Sequence, residues 1–109
     1  MSAKKTDPDI MGMAMLDYHY GRQQEDITSY SSIAGEDKLP LKHLFRSFEE
    51  MPKLEQLALK RTQGKTLDVG CGSGIHALYL QQHNMAVEAI DISKGAVEVC
   101  KLRGIKNAR

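Results

Sequence analysis

Residues 67–74 read Leu-Asp-Val-Gly-Cys-Gly-Ser-Gly, which places glycines at 70, 72 and 74 directly behind a short apolar run. Glycine loses more conformational freedom on folding than any other residue, so three in five positions need a physical reason. The backbone there must adopt conformations, or approach a partner, that a Cβ atom forbids. Four kinds of loop qualify: a dinucleotide loop, a phosphate loop, a different nucleoside site, or a plain tight turn.

The surroundings narrow the choice. Thr66 to Val69 reads as a buried strand, Gly70 to Gly74 as the loop, and Ile75 to His83 as a helix with Ile75, Leu78 and Tyr79 on one side. Ala86 to Ile90 reads as a second strand. Ser93 is placed to N-cap a helix running to about Arg103, which Gly104 can close. Ile105 to Arg109 then leads toward a third strand. Strand, helix, strand, helix is the βαβ pattern of a parallel sheet with a right-handed crossover.

A Walker-type phosphate loop needs a lysine and a Ser or Thr after its last glycine. Ile75 and His76 follow Gly74 instead. A dinucleotide loop, G-x-G-x-x-G/A, is matched by Gly72-Ser-Gly74-Ile-His-Ala77, with Asp91 as the acidic residue after the second strand. That register leaves Gly70 unexplained and puts the acidic Asp68 where such strands are usually apolar.

With Asp68 and Asp91 included, LDVGCGSG and AIDIS resemble the first two motifs of the class I S-adenosylmethionine-dependent methyltransferases. The first motif is an acidic residue, any residue, then G-x-G-x-G, and Asp68, Gly70, Gly72 and Gly74 match it. The second is an acidic residue ending the next strand, which Asp91 matches. The resemblance covers roughly residues 60–109. It implies an α/β, Rossmann-like methyltransferase fold, limited here to the first βαβα unit behind a helical N-terminal extension. It also implies S-adenosyl-L-methionine as cofactor. Asp68 would lie near the ligand's ammonium group, and Gly70, Gly72 and Gly74 would pass beneath the methionine and ribose. Asp91, acceptor-only when ionised, would take the two ribose hydroxyls, and Ile92 would pack on the adenine. Cys71, at a variable position of the loop, is expected to be a small buried residue beside the cofactor rather than a nucleophile.

Other readings stay open at this stage. Asp68 can simply brace the turn, and Asp91 can begin a strand-to-helix turn, where Asp is common. An NAD(P)-dependent oxidoreductase fragment and a non-catalytic Rossmann-like scaffold are the competing function classes. Under the resemblance the chain is an N-terminal piece of a longer methyltransferase, inactive alone. The methyl acceptor is expected to be a small molecule, and the catalytic residues are unknown. The strand Thr66–Val69 would lack one neighbour, and an apolar unpaired edge invites homodimer formation.

Composition limits the partners. The 109 residues suffice for one small domain. A formal net charge of +1 gives a nucleic-acid partner no support from bulk electrostatics. No apolar run approaches the ~20 residues that span a bilayer, and the N-terminus lacks the apolar core of a secretory signal. Cys71 and Cys100 are far apart and form no CxxC, and the four histidines have no zinc spacing. Two reduced thiols in a cytoplasmic protein, and no metal, are expected.

The first 63 residues are less distinctive. Residues 1–8 read as a flexible tail and residues 9–63 as the helical extension. A helix over Asp9 to about Gln24 is weakened by Gly12 and Gly21. Its Met11, Met13 and Met15 suit either a flexible packing face or part of a cofactor or substrate cover. Residues 25–40 are expected to be a long polar loop, disordered or a lid. Leu41, Leu44, Phe45 and Phe48 keep a helical spacing, and a second helix from Pro52 to Thr62 is expected to turn Leu54, Leu57 and Ala58 inward.

Overall fold

The structure, a computed structural model, describes residues 9–22 and 26–109. The expected tail over residues 1–8 lies outside the described residues.

The C-terminal half is built as the sequence pattern indicates. Strand β3 (Thr66–Val69) pairs in parallel with β4 (Val87–Ile90), Thr66 opposite Val87 and Val69 opposite Ile90. Helix α3 (Ile75–Gln82) crosses between them, and α4 (Lys94–Leu102) follows β4. Ser93 caps α4 by accepting the Ala96 N–H at 3.0 Å. Residues 107–109 form an isolated parallel bridge, Ala108 opposite Ala89, on β4. There Ala89 N–H donates to the Asn107 carbonyl, and the Arg109 N–H to that of Ala89.

One face of this sheet is covered. Val87 and Ala89 pack with Ala77 and Leu80 of α3, Cys100 of α4 and Ile105 into the main core. Strand alternation sends Leu67 and Val69 to the opposite face, where they are 53% and 71% exposed.

The N-terminal half departs from the expectations in four places. Helix α1 spans Ile10–His19, shorter than the pattern suggested, with Asp9 as its cap. The described part of the expected loop, residues 26–40, is not structureless: β1 (Ile27–Ser31) and β2 (Gly35–Leu39) form an antiparallel hairpin. None of its side chains is buried, so no buried alternation marks it in the sequence. The stripe at 41–48 forms two 3₁₀ turns, Leu41–Phe45 and Phe48–Glu50, because the chain is extended at Arg46 and Ser47 between them.

Helix α2 (Lys53–Arg61) lies where Pro52 predicts, but its face is not the expected one. Leu54 is 80% exposed, and Leu57 and Ala58 are exposed as well. Polar anchors turn the helix. Glu55 meets Arg46 and His76 at 2.6 Å, Gln56 donates to the carbonyls of Phe48 and Met51, and Leu59 alone of the leucines reaches the core.

Helix α1 lies across α4. Met15 packs with Ala96 and Val99 in a second small core, joined by Leu16, Leu44 and Phe45. The two helices cross at glycine on glycine: a Cβ on Gly95 would stand 2.6 Å from the backbone of Gly12. Both glycines weaken their helices intrinsically. The close crossing is the physical return.

Candidate functional site

The glycine loop turns on three left-handed residues. Gly70, Gly72 and Gly74 have φ of 72°, 57° and 85°, a region that L side chains rarely adopt. Their surroundings differ. Cβ atoms added at Gly70 or Gly72 would meet nothing within 4 Å, so these two face open space. A Cβ at Gly74 would lie 2.9 Å from the Cys100 sulfur and would also strike Ile105. Gly74 faces the core and serves as the N-cap of α3.

The open space is a cavity of about 700 Å³. Gly70 and Gly72 line one side, and Asp91, Ile92, Ser93 and Lys94 continue it. Asp9, Ile10, Met11, Met15 and Leu44 complete the lining. Of the residues singled out in the sequence, Gly70, Gly72, Asp91 and Ile92 therefore come together around one cavity. Asp68, Cys71 and Gly74 lie beneath or behind the loop and do not line it.

Asp91 is held on both oxygens by backbone. Gly72 N–H donates to Oδ2 at 2.8 Å and Ser93 N–H to Oδ1 at 2.9 Å. A carboxylate oxygen can accept two hydrogen bonds and each here accepts one, so both retain a lone pair for a ligand's hydroxyl groups. The loop and the carboxylate thus fix one another. Ile92, next in the chain, is fully exposed at the cavity.

Asp68 is half-buried under the loop. Its Oδ2 is buried and has no hydrogen-bond partner among the described residues. Burial raises its carboxyl above the ordinary value, against the opposing pull of His76 and the Ala77 N–H. A desolvated negative charge beneath a cavity floor favours a cationic group above it.

The two cysteines are free and buried, with their sulfurs 3.7 Å apart. The Cys100 thiol also donates to the Gly72 carbonyl at 3.3 Å. Burial, Cys100 and the carboxylates of Asp68 and Asp91 push the Cys71 thiol up to about 12, so it is a packing group rather than a nucleophile.

A second brace holds the loop from outside. Arg103 donates to the Ser73 carbonyl at 2.8 Å and lies over the Phe45 ring, while the Ser73 hydroxyl donates to the Leu44 carbonyl. The sequence reading missed this brace, as it missed Asp9. Neither belongs to a motif, and both act across many residues. Tyr18, the one N-terminal tyrosine that packs inward, stacks on Phe45 at 4.8 Å rather than lining the cavity. Among the described residues no group of three or more His, Cys, Asp or Glu is placed to hold a metal ion. No described helix is long and apolar enough to cross a membrane.

A left-handed glycine loop after a parallel strand, facing a carboxylate at the end of the next, defines a nucleoside-binding α/β domain. The family described as a methyltransferase domain matches residues 66–108. The crystal structure of an S-adenosylmethionine-dependent methyltransferase from Bacteroides fragilis, in complex with S-adenosyl-L-homocysteine, is 48% identical with a TM-score of 0.87. It aligns over 93% of this chain and 42% of that one. Ribosomal RNA small subunit methyltransferase C of Shewanella sediminis (strain HAW-EB3) is 39% identical over 59 residues, 52% of this chain and 17% of that protein. Over its α/β half the chain is similar to class I S-adenosylmethionine-dependent methyltransferases. It spans less than half the length of either relative. The oxidoreductase reading finds no support in these comparisons.

Proposed function

We propose that the cavity binds S-adenosyl-L-methionine and that the protein to which this chain belongs transfers its methyl group to a small-molecule acceptor. The observation that carries the reading is the pairing of Asp91 with the open glycine floor. Its carboxylate is fixed by Gly72 and Ser93, leaving one lone pair on each oxygen beside about 700 Å³ of space.

In this reading Asp91 takes the ribose hydroxyls and Ile92 lies against the adenine. Gly70 and Gly72 let the backbone approach the ligand where any Cβ would project into the cavity, and Gly74 ends the loop against the core. Asp68 acts through the loop, its charge favouring the ammonium and sulfonium above. Cys71 packs beneath. The cofactor, when bound, supplies a methyl group on a positively charged sulfur. The chain's own contribution is position and exclusion of water.

The small-molecule acceptor is supported by the balanced charge, +1 over 109 residues. The likeness to the ribosomal-RNA enzyme covers too little of that protein to carry its acceptor over.

Calorimetric titration tests the reading. S-adenosyl-L-homocysteine is expected to bind and NAD not to bind. Asp91→Ala should weaken S-adenosyl-L-homocysteine binding by at least about tenfold, the loss expected for hydrogen bonds to a charged group. Equal binding of NAD would reject it in favour of a dinucleotide site, and an indifferent Asp91→Ala would reject it in favour of the scaffold reading.

A further inference from the structure

We infer that helix α1 is a wall of the cofactor cavity, with Met11 and Met15 contacting the same ligand as Asp91 and Asp9 positioning them. The inference rests on the S-adenosylmethionine reading above and extends it to residues outside both motifs.

Three observations carry it. First, Asp9, Ile10, Met11 and Met15 line the same cavity as Gly70, Gly72 and Asp91. Ile10 and Met11 remain 66% and 40% exposed, so apolar surface stands ready to be covered by a ligand. Methionine suits such a wall because its unbranched, polarisable side chain adapts to the group it meets.

Second, α1 is fastened at the cavity rim. Asp9 Oδ1 accepts the Ser93 hydroxyl at 2.6 Å and the Gly12 N–H at 3.1 Å, and Oδ2 accepts the Gly95 N–H at 2.8 Å. One carboxylate thereby caps its own helix and also satisfies an N-terminal amide of α4. Ser93 connects this fastening to the site, because its N–H donates to Asp91 while its hydroxyl donates to Asp9. Docking of α1 and placement of the Asp91 carboxylate pass through the same residue.

Third, the crossing is specific. Gly95 and Gly12 touch backbone to backbone, and a Cβ at Gly95 would come within 2.6 Å of Gly12. That contact sets how close Met11 and Met15 stand to the glycine floor. Filling it pushes the wall outward.

The experiment measures S-adenosyl-L-homocysteine binding and release for the unaltered chain and for Asp9→Ala, Gly95→Ala and Met11→Ala. Deuterium uptake over residues 10–19 is followed with and without ligand. The unaltered chain should bind, and the ligand should slow exchange in α1. Asp9→Ala, which removes the carboxylate that fastens α1, and Gly95→Ala, whose added Cβ displaces α1, should each release ligand about tenfold faster with association little changed. Met11→Ala, at a partly exposed position that does not threaten folding, should weaken binding about threefold by losing apolar contact. Binding in the unaltered chain with all three variants unchanged would overturn the wall while leaving the cofactor reading intact. So would α1 exchange that ignores the ligand. No binding by the unaltered chain would overturn both. Should Asp9→Ala or Gly95→Ala fail to fold, Met11→Ala and the exchange measurement decide.

Discussion

Asp68 holds its charge at a cost to the fold. Its Oδ2 is buried without a partner among the described residues, and burial raises its carboxyl value. A group that holds its proton more tightly when folded lowers stability as pH rises through that range. Asp68→Asn keeps an acceptor for the Ala77 N–H and removes the desolvated charge. It should stabilise the chain at neutral pH by on the order of 1 kcal/mol, seen as a rise of roughly 4–8 °C in thermal midpoint. It should weaken S-adenosyl-L-homocysteine at the same time. A lower midpoint would show that the carboxylate is better satisfied than its surroundings indicate. The glycines separate in the same way. Gly70→Ala and Gly72→Ala meet only the left-handed penalty of about 1–2 kcal/mol. Gly74→Ala adds a collision with Cys100 and Ile105 and should cost roughly 2–5 kcal/mol in denaturant titration. The spacing of Asp68, the glycines and Asp91 was legible because backbone conformation demands particular residue types. Which way each missing Cβ would point was not, since that depends on what α4 and Ile105 bring beneath the loop.

Among the elements, α2 shows why a face can be misread. Its leucines alone suggest one inward side, but Glu55 turns the helix by meeting Arg46 and His76. The hydrogen bond from His76 first, then Arg46, holds the Glu55 carboxyl below its ordinary value, outweighing burial. A depressed carboxyl contributes stability that is fully present above the ordinary carboxylate range. That stability is lost as pH falls through the lower folded value. Exchange protection of α2 should therefore fall in acid before that of β4, and Glu55→Gln should remove the difference. Identical acid profiles for both proteins would exclude this bridge as the cause. The hairpin β1–β2 was illegible for a different reason. None of its side chains is buried, so hydrophobic alternation, the signal that marks a strand, is absent. Gly12 and Gly95 looked like flaws in two helices when taken one at a time. Only their meeting in space gives them a purpose.

Across the whole molecule, the sheet is covered on one side only. Leu67 and Val69 stand exposed on the other, and among the described residues β3 is paired along one edge, to β4. Unpaired strand edges beside apolar side chains recruit other chains. The 109-residue chain is therefore expected to self-associate with rising concentration in sedimentation velocity, and a Leu67→Lys, Val69→Lys double variant should reduce this. Strictly monomeric behaviour of the unaltered chain would refute the expectation.

The sulfur pair under the loop also makes the site its own stopwatch. Cys71 and Cys100 lie 3.7 Å apart, buried, with ionisation of Cys71 suppressed. A neutral alkylating reagent gains access to them when the glycine loop lifts from α4, so labelling rates report how much of that open state is populated. Comparing rates across ligands would rank them by how firmly each closes the floor, with no turnover and no acceptor needed.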